Sequence, residues 1–330
     1  MTTNMTTTAT PIWGHLMHLS MNMWEDVPGA GANSYHPQLL CEDDVWARIT
    51  QRLADAGANM VVIDLGDGVH YRSHPEIAVE GAWSVDRLRD ELGRLRDLGL
   101  EPIPKLNFST THDAWLGTYS RMVSTETYYK VCTELIDEVA EIFAPRFFHI
   151  GMDEENAASQ IGWELAVARQ GELWWHDLEL LVGAVERHDA RAWIWSDYAW
   201  AHPREFYARM SRDVLQSNWY YRNLFDGAPR SSTPIRLGAI EQYRAYVDLD
   251  QNGFDQIPAA SNWLYADNLT RTVDYALRNI RPERLLGFMQ TTWRPTTARY
   301  EAHIEESIRD IARAIEHFDA PRELENHDGE

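Results

Sequence analysis

The sequence predicts a single (β/α)8 TIM barrel, the α/β fold in which eight parallel strands are ringed by eight helices. Three observations carry that expectation. Short apolar runs alternate eight times with stretches of helical periodicity. Each helix acts as the crossover that returns the chain to pair in parallel. No Gly-rich phosphate loop opens the first helix, which argues against a doubly wound sheet, and no shift in composition marks a second domain. A chain of 330 residues can bury one large α/β core without metals or disulfides. The barrel is expected over 11–320, with a disordered leader over 1–10 and a polar tail over 321–330.

Taken in order, Ile12 to Met23 reads as strand one, running into Trp24-Glu25-Asp26 and a Gly/Pro loop. Val45, Ile49, Leu53 and Ala56 recur at helical spacing, and Gly57 closes that helix. Asn59 to Leu65 is a buried strand, turned by Gly66-Asp67-Gly68. Ser84 caps the next helix through Leu88, Leu92 and Leu95, and Glu101 to Phe108 follows as strand three. A helix from Thr125 to Phe143 leads into Arg146-Phe-Phe-His-Ile-Gly-Met-Asp-Glu-Glu155, an apolar run ending in three acids. Ala157 to Trp175 reads as an insertion, placed to close a pocket or to meet another subunit. Helix His176 to His188 precedes the strand Arg191 to Asp197. Helix Pro203 to Met210 precedes Val214 to Trp219, and a helix over Ile235 to Leu249 precedes Gln256 to Trp263. Asn268 to Ile280, Leu285 to Trp293 and Glu301 to Phe318 complete the eight units.

The formal net charge of −21 argues against nucleic-acid and anionic-membrane partners, which need basic surface. Cys41 and Cys132 lie far apart and read as free thiols. The Thr-rich start has neither the basic nor the apolar region of a secretory signal, so a cytoplasmic location is expected. No segment approaches the roughly 20 apolar residues of a membrane-spanning helix.

A barrel of this kind carries its chemistry at the strand C-termini. The strand ends here include Trp24, Trp195, Trp219, Trp263 and Trp293, out of fourteen tryptophans. Such residues can cap a core, but five at one face point to a carbohydrate pocket, where aromatic faces stack on sugar C–H groups. Asp153 and Glu154, on extended backbone, would point to opposite sides. One is then free to serve as a general acid while the other orients a substrate or a neighbouring side chain; an inert acidic helix start is the alternative. Asn107, His112, Asp197, Asp267 and Arg294 add polar groups for substrate at other strand ends.

The run His149-Ile150-Gly151-Met152-Asp153-Glu154 resembles the His-x-Gly-x-Asp-Glu signature of glycoside hydrolase family 20, the β-N-acetylhexosaminidases. The resemblance implies an exo-acting glycosidase with Glu154 as general acid/base. Asp153 would orient the substrate's 2-acetamido group, whose carbonyl oxygen attacks the anomeric carbon. It further implies Tyr265 as a phenol on the acetamido oxygen and Trp219, Trp263 and Trp293 as pocket walls. The likeness is divergent. The accessory α/β domain that usually precedes the family's barrel is absent from this sequence, no arginine ends strand one, and Trp293 is followed by Arg294 where the family typically offers a glutamate for sugar hydroxyls.

An alternative keeps Glu154 and adds a second carboxylate from Asp267, Asp197 or Glu25, acting on a sugar without the acetamido group. A metal-dependent hydrolase would draw on His15, His18, His112 and His149 with Asp64 or Asp153. No H-x-H or H-E-x-x-H pair stands at a strand end, so no metal or cofactor is expected. A non-catalytic sugar-binding barrel is the third class.

Overall fold

The computed structural model describes residues 10–225 and 239–320. The expected leader falls almost wholly outside these, as do the tail and the start of the helix read from Ile235. Eight parallel strands form the barrel: β1 Ile12–His18, β2 Met60–Asp64, β3 Glu101–Lys105, β4 Phe147–Gly151, β5 Arg191–Trp195, β6 Leu215–Ser217, β7 Ala259–Ser261 and β8 Gly287–Thr291. Their order is β6-β5-β4-β3-β2-β1-β8-β7. The seam between β6 and β7 is spanned by bridges from Gln216 to Gln256 and from Trp219 to Ala259. The fold is a single (β/α)8 barrel.

The helices are α1 Asp43–Asp55, α2 Val85–Asp97, α3 Glu126–Phe143, α4 Glu172–Glu186, α5 Pro203–Arg209, α6 Ala239–Gln251, α7 Asn268–Asn279 and α8 Glu301–Asp319. Two start where their caps dictate. Ser84 and Thr125 each accept a hydrogen bond from the backbone N–H three residues on, satisfying donors the first turn leaves open. Several strands are shorter than the apolar runs that announce them. β1 stops at His18 and β3 at Lys105, and the chain beyond each becomes loop at the barrel mouth.

Strand alternation sorts the core into two layers. Ile12, Leu16, Met60, Val62, Ile103 and Phe147 fill the barrel interior. Trp13, Met17, Val61, Ile63, Phe148 and Ile150, one residue out of phase, pack outward against the helices. The same parity carries His18, Asp64, Lys105 and His149 to the top of the interior. There, Lys105 Nζ pairs with Asp64 in full burial and His18 Nδ1 lies 3.4 Å from the same carboxylate. A charged layer thus floors the mouth.

The stretch read as an insertion over Ala157 to Trp175 is partly helix, since α4 begins at Glu172. Trp174 and Trp175 are buried in its first turns, and Trp163 is buried under the Arg121 guanidinium at 4.2 Å. These three tryptophans are internal packing, while Arg169 and Gln170 of the same stretch line a cavity beside Glu154. Cys41 and Cys132 are free. Among the described residues no helix is long and apolar enough to cross a membrane.

Candidate active site

A cavity of about 260 Å³ opens at the C-terminal ends of the strands. Trp24 and Asn33 reach it from the loop after β1, His112 from the loop after β3, and Asp153 with Glu154 from the end of β4. Trp195, Trp219, Tyr221, Trp263 and Trp293 supply the remaining wall from β5 to β8. Apolar faces around a few convergent polar groups are what a small-molecule site requires.

The acids arrive there by a break in the strand. Pairing between β4 and β5 slips between His149 and Gly151, an irregularity of the bulge kind that re-aims the following side chains. Gly151 has φ +76°, and a side-chain carbon there would collide with the Asn107 carboxamide. Met152 and Glu154 also adopt left-handed backbone, at φ 72° and 51°. Such conformations in non-glycine residues cost roughly 1–3 kcal/mol each and cluster at functional sites. The left-handed Glu154 overturns the expectation that extended backbone sends the two acids to opposite sides. Both line one cavity. Asp153 is 6% exposed, whereas the Glu154 side chain is 38% exposed.

One imidazole joins them. His112 Nδ1 lies 3.2 Å from Asp153 Oδ1, and Nε2 lies 3.4 Å from Glu154 Oε2. The Asp153 contact is an ion pair rather than a well-directed hydrogen bond. Burial alone would depress the His112 pKa, but the two carboxylates lift it to about 10. Burial would likewise raise Asp153. The charges of His112 and Lys105 and the Asn107 amide, which donates to Oδ1 at 3.0 Å, instead hold it at about 2. The ring is therefore cationic at neutral pH and Asp153 anionic.

The other polar groups hold the turn. Ser109 Oγ donates to the Asp153 carbonyl and Thr111 Oγ1 to that of Glu154 at 2.6 Å. Asp197 Oδ2 accepts the Glu154 backbone N–H at 2.8 Å. Burial and the negative charge of Asp153 push Asp197 well above the usual carboxylate range. Glu155, the third acid of the run, is buried in an ion pair with Arg169 and accepts from Thr110 Oγ1 at 2.6 Å. His149 accepts from Gly151 N at 3.1 Å and packs on Trp195 at 4.6 Å. Among the described residues no three His, Cys, Asp or Glu side chains assemble as a metal site.

Solved structures share this barrel. The family 20 exo-β-N-acetylglucosaminidase of Vibrio harveyi, solved with N-acetylglucosamine, aligns at TM-score 0.63 and 14% identity, over 92% of this chain and 54% of its own. The family 20 β-N-acetylhexosaminidase of Streptomyces coelicolor A3(2) aligns at 0.63 and 12% identity, over 93% and 63%. Flavobacterium johnsoniae chitobiase gives 0.55 and 18% identity, over 92% and 51%. The fold is that of the family 20 barrels. No protein-family model and no curated protein sequence matches the chain, which spans little more than half the length of the Vibrio enzyme.

Within this family 20-type barrel, the other residues expected at the site are unevenly placed. Trp219, Trp263 and Trp293 line the cavity, and Trp293 does so from left-handed backbone at φ 52°. Tyr265 and Asp267 do not line it. Tyr265 is 47% exposed, and Asp267 is held by Arg271 at 3.1 Å and Asn223 at 2.6 Å. Asn107 and Asp197 stand behind the acids, and Arg294 lies over Trp263 at 4.1 Å. Glu25 accepts from Ser34 at 3.0 Å, away from the lining. Sequence reading missed Asn33 and Tyr221. Tyr221 follows Trp219 by two residues, a spacing that puts both on one side of an extended segment, and their rings stack at 5.2 Å. Asn33 sits in a Gly-rich loop that offers no such signal.

Proposed function

We propose that this chain is an exo-acting glycoside hydrolase of β-N-acetylhexosaminidase type, with Glu154 as general acid/base and Asp153 orienting the 2-acetamido group. One observation carries the reading. Among the described residues, Asp153 and Glu154 are the only carboxylates that line the cavity. A glycosidase with its own nucleophile or base sets a second carboxylate across the sugar from the acid. Of the candidates for that role, Asp267 and Glu25 are outside the lining, and Asp197 faces a separate cavity of about 250 Å³ behind Glu154. Substrate assistance removes the need for one.

Glu154 is the more exposed acid and can meet a glycosidic oxygen. His112, cationic beside it, can stabilise the carboxylate that Glu154 becomes as that oxygen takes its proton. Asp153, buried and anionic, can accept the acetamido N–H and stabilise the charge that develops as the carbonyl oxygen attacks the anomeric carbon. In this reading the phenol on that carbonyl oxygen is Tyr221 rather than Tyr265. Its hydroxyl stands beside Thr291 and Trp293. The tryptophan walls make the surroundings less polar, which strengthens the charge interactions inside. This chemistry calls for no cofactor.

The test is Glu154→Gln, assayed on 4-nitrophenyl β-N-acetylglucosaminide with circular dichroism as a check of fold. A drop in kcat of about 10²–10⁴, typical for losing a general acid, is expected. A folded variant with unimpaired turnover would sink the assignment.

A further inference from the structure

We infer that the preferred sugar carries an anionic substituent, a sulfate or carboxylate, gripped by Arg294 on the β7–β8 side of the mouth. This rests on the glycosidase reading above and names its substrate class. Arg294 follows Trp293, and its guanidinium lies 4.1 Å over the ring of Trp263 and 5.8 Å from that of Tyr300. It donates one hydrogen bond, from Nη1 to the Trp293 carbonyl at 3.0 Å. One of these rings, Trp263, lines the cavity, as does Trp293, the residue before Arg294.

Among the described residues its charge meets no carboxylate. The chain holds 51 acidic residues against 30 basic ones, and many arginines find carboxylates, as Arg271, Arg281 and Arg284 do, while others such as Arg96 and Arg212 spend their donors on backbone carbonyls. Among the described residues no carboxylate lies within 4 Å of Arg294. Glu306, on α8, accepts instead from Asn262 at 3.1 Å. His303 on the same helix brings no negative charge, and burial and the charge of Arg294 push its pKa down. At the opposite side of the cavity, Asp153 and Glu154 already share the charge of His112.

A guanidinium presents its N–H donors in a fixed fork that matches two oxygens of a sulfate or carboxylate. Held on an aromatic face, it is ordered before the ligand arrives, which lowers the entropy cost of binding. A neutral hydroxyl would use one donor and leave the charge unmatched.

The experiment compares kcat/KM for 4-nitrophenyl β-N-acetylglucosaminide with and without a 6-O-sulfate, and for the β-glucuronide against the β-glucoside. Wild type and Arg294→Met are run side by side, at low and at 0.5 M salt. We expect one anionic partner to be favoured at least about tenfold, by charge-assisted hydrogen bonding. The preference falls toward unity in Arg294→Met and at high salt. Which pair shows it separates sulfate from carboxylate. Turnover of the neutral glycosides with no anionic preference, or a preference that survives Arg294→Met, overturns the inference and leaves the glycosidase reading intact. If no aryl glycoside is cleaved, calorimetry with free N-acetylglucosamine 6-sulfate on Glu154→Gln reads the clamp alone. Binding abolished by adding Arg294→Met supports it, and no binding contradicts it.

Discussion

His112 Nε2 lies 3.4 Å from Glu154 Oε2, so the exposed acid of the pair is backed by a buried cation. The other face of the same ring meets Asp153. This sets one buried cation between the two acids, which differ in burial and, under the proposed mechanism, in role.

The pH dependence of stability follows from that ring. Its pKa rises from 6.5 to about 10 in the folded chain. A group raised in this way contributes stability that is complete below 6.5 and is lost as pH climbs through 10. Urea unfolding between pH 6 and pH 10 should show wild type losing stability across that window. His112→Gln should lack this component. Parallel pH slopes for the two proteins would contradict the ion pair.

Gly151→Ala should both destabilise and inactivate. The position is left-handed, and the added carbon meets the Asn107 carboxamide that holds Asp153. A loss of at least about 2 kcal/mol is expected in thermal unfolding, with kcat falling even where the fold survives. An alanine variant of native stability would mean that the bulge is not fixed by this contact.

Arg169→Met should be among the most destabilising single changes. Arg169 is buried between Glu155 and Asp177, at 3.0 Å from the latter. Removing the cation strands two buried carboxylates, at a cost of about 3–5 kcal/mol. A melting temperature close to wild type would refute the structural role of Glu155.

Two tyrosines separate the observed site from the expected one. Tyr221→Phe should lower kcat on an N-acetyl sugar by about tenfold or more, whereas Tyr265→Phe should change it less than about twofold, since Tyr265 stands outside the lining. The reverse ranking would restore the sequence-based choice.

Much of this was readable from the chain. The alternation of apolar runs and helical spacing specifies the barrel, because both periods are local properties of backbone geometry. The His149-to-Glu154 run located the mouth, since few sequences end a buried strand on acids. The left-handed turn at Glu154 was not readable, because it depends on the slipped β4–β5 register and on hydrogen bonds from Ser109 and Thr111 across the mouth. The burial of Trp174 and Trp175 was likewise hidden, because the start of α4 lies inside a stretch whose composition resembles a loop insertion. Asp267 looked available in sequence. Its partners Arg271 and Asn223 lie one turn along α7 and on the loop after β6, and only the latter required the fold to be known.

The central claim is that the substrate's acetamido group is the nucleophile, and its most direct test is a panel of 4-nitrophenyl β-glycosides with a thiazoline inhibitor. The panel contains N-acetylglucosaminide, N-acetylgalactosaminide, glucoside and galactoside. The account predicts release from the N-acetyl sugars, blocked by the thiazoline. Release confined to sugars without the acetamide would contradict it, and would assign the second carboxylate's work to Asp153 or to a group outside the cavity.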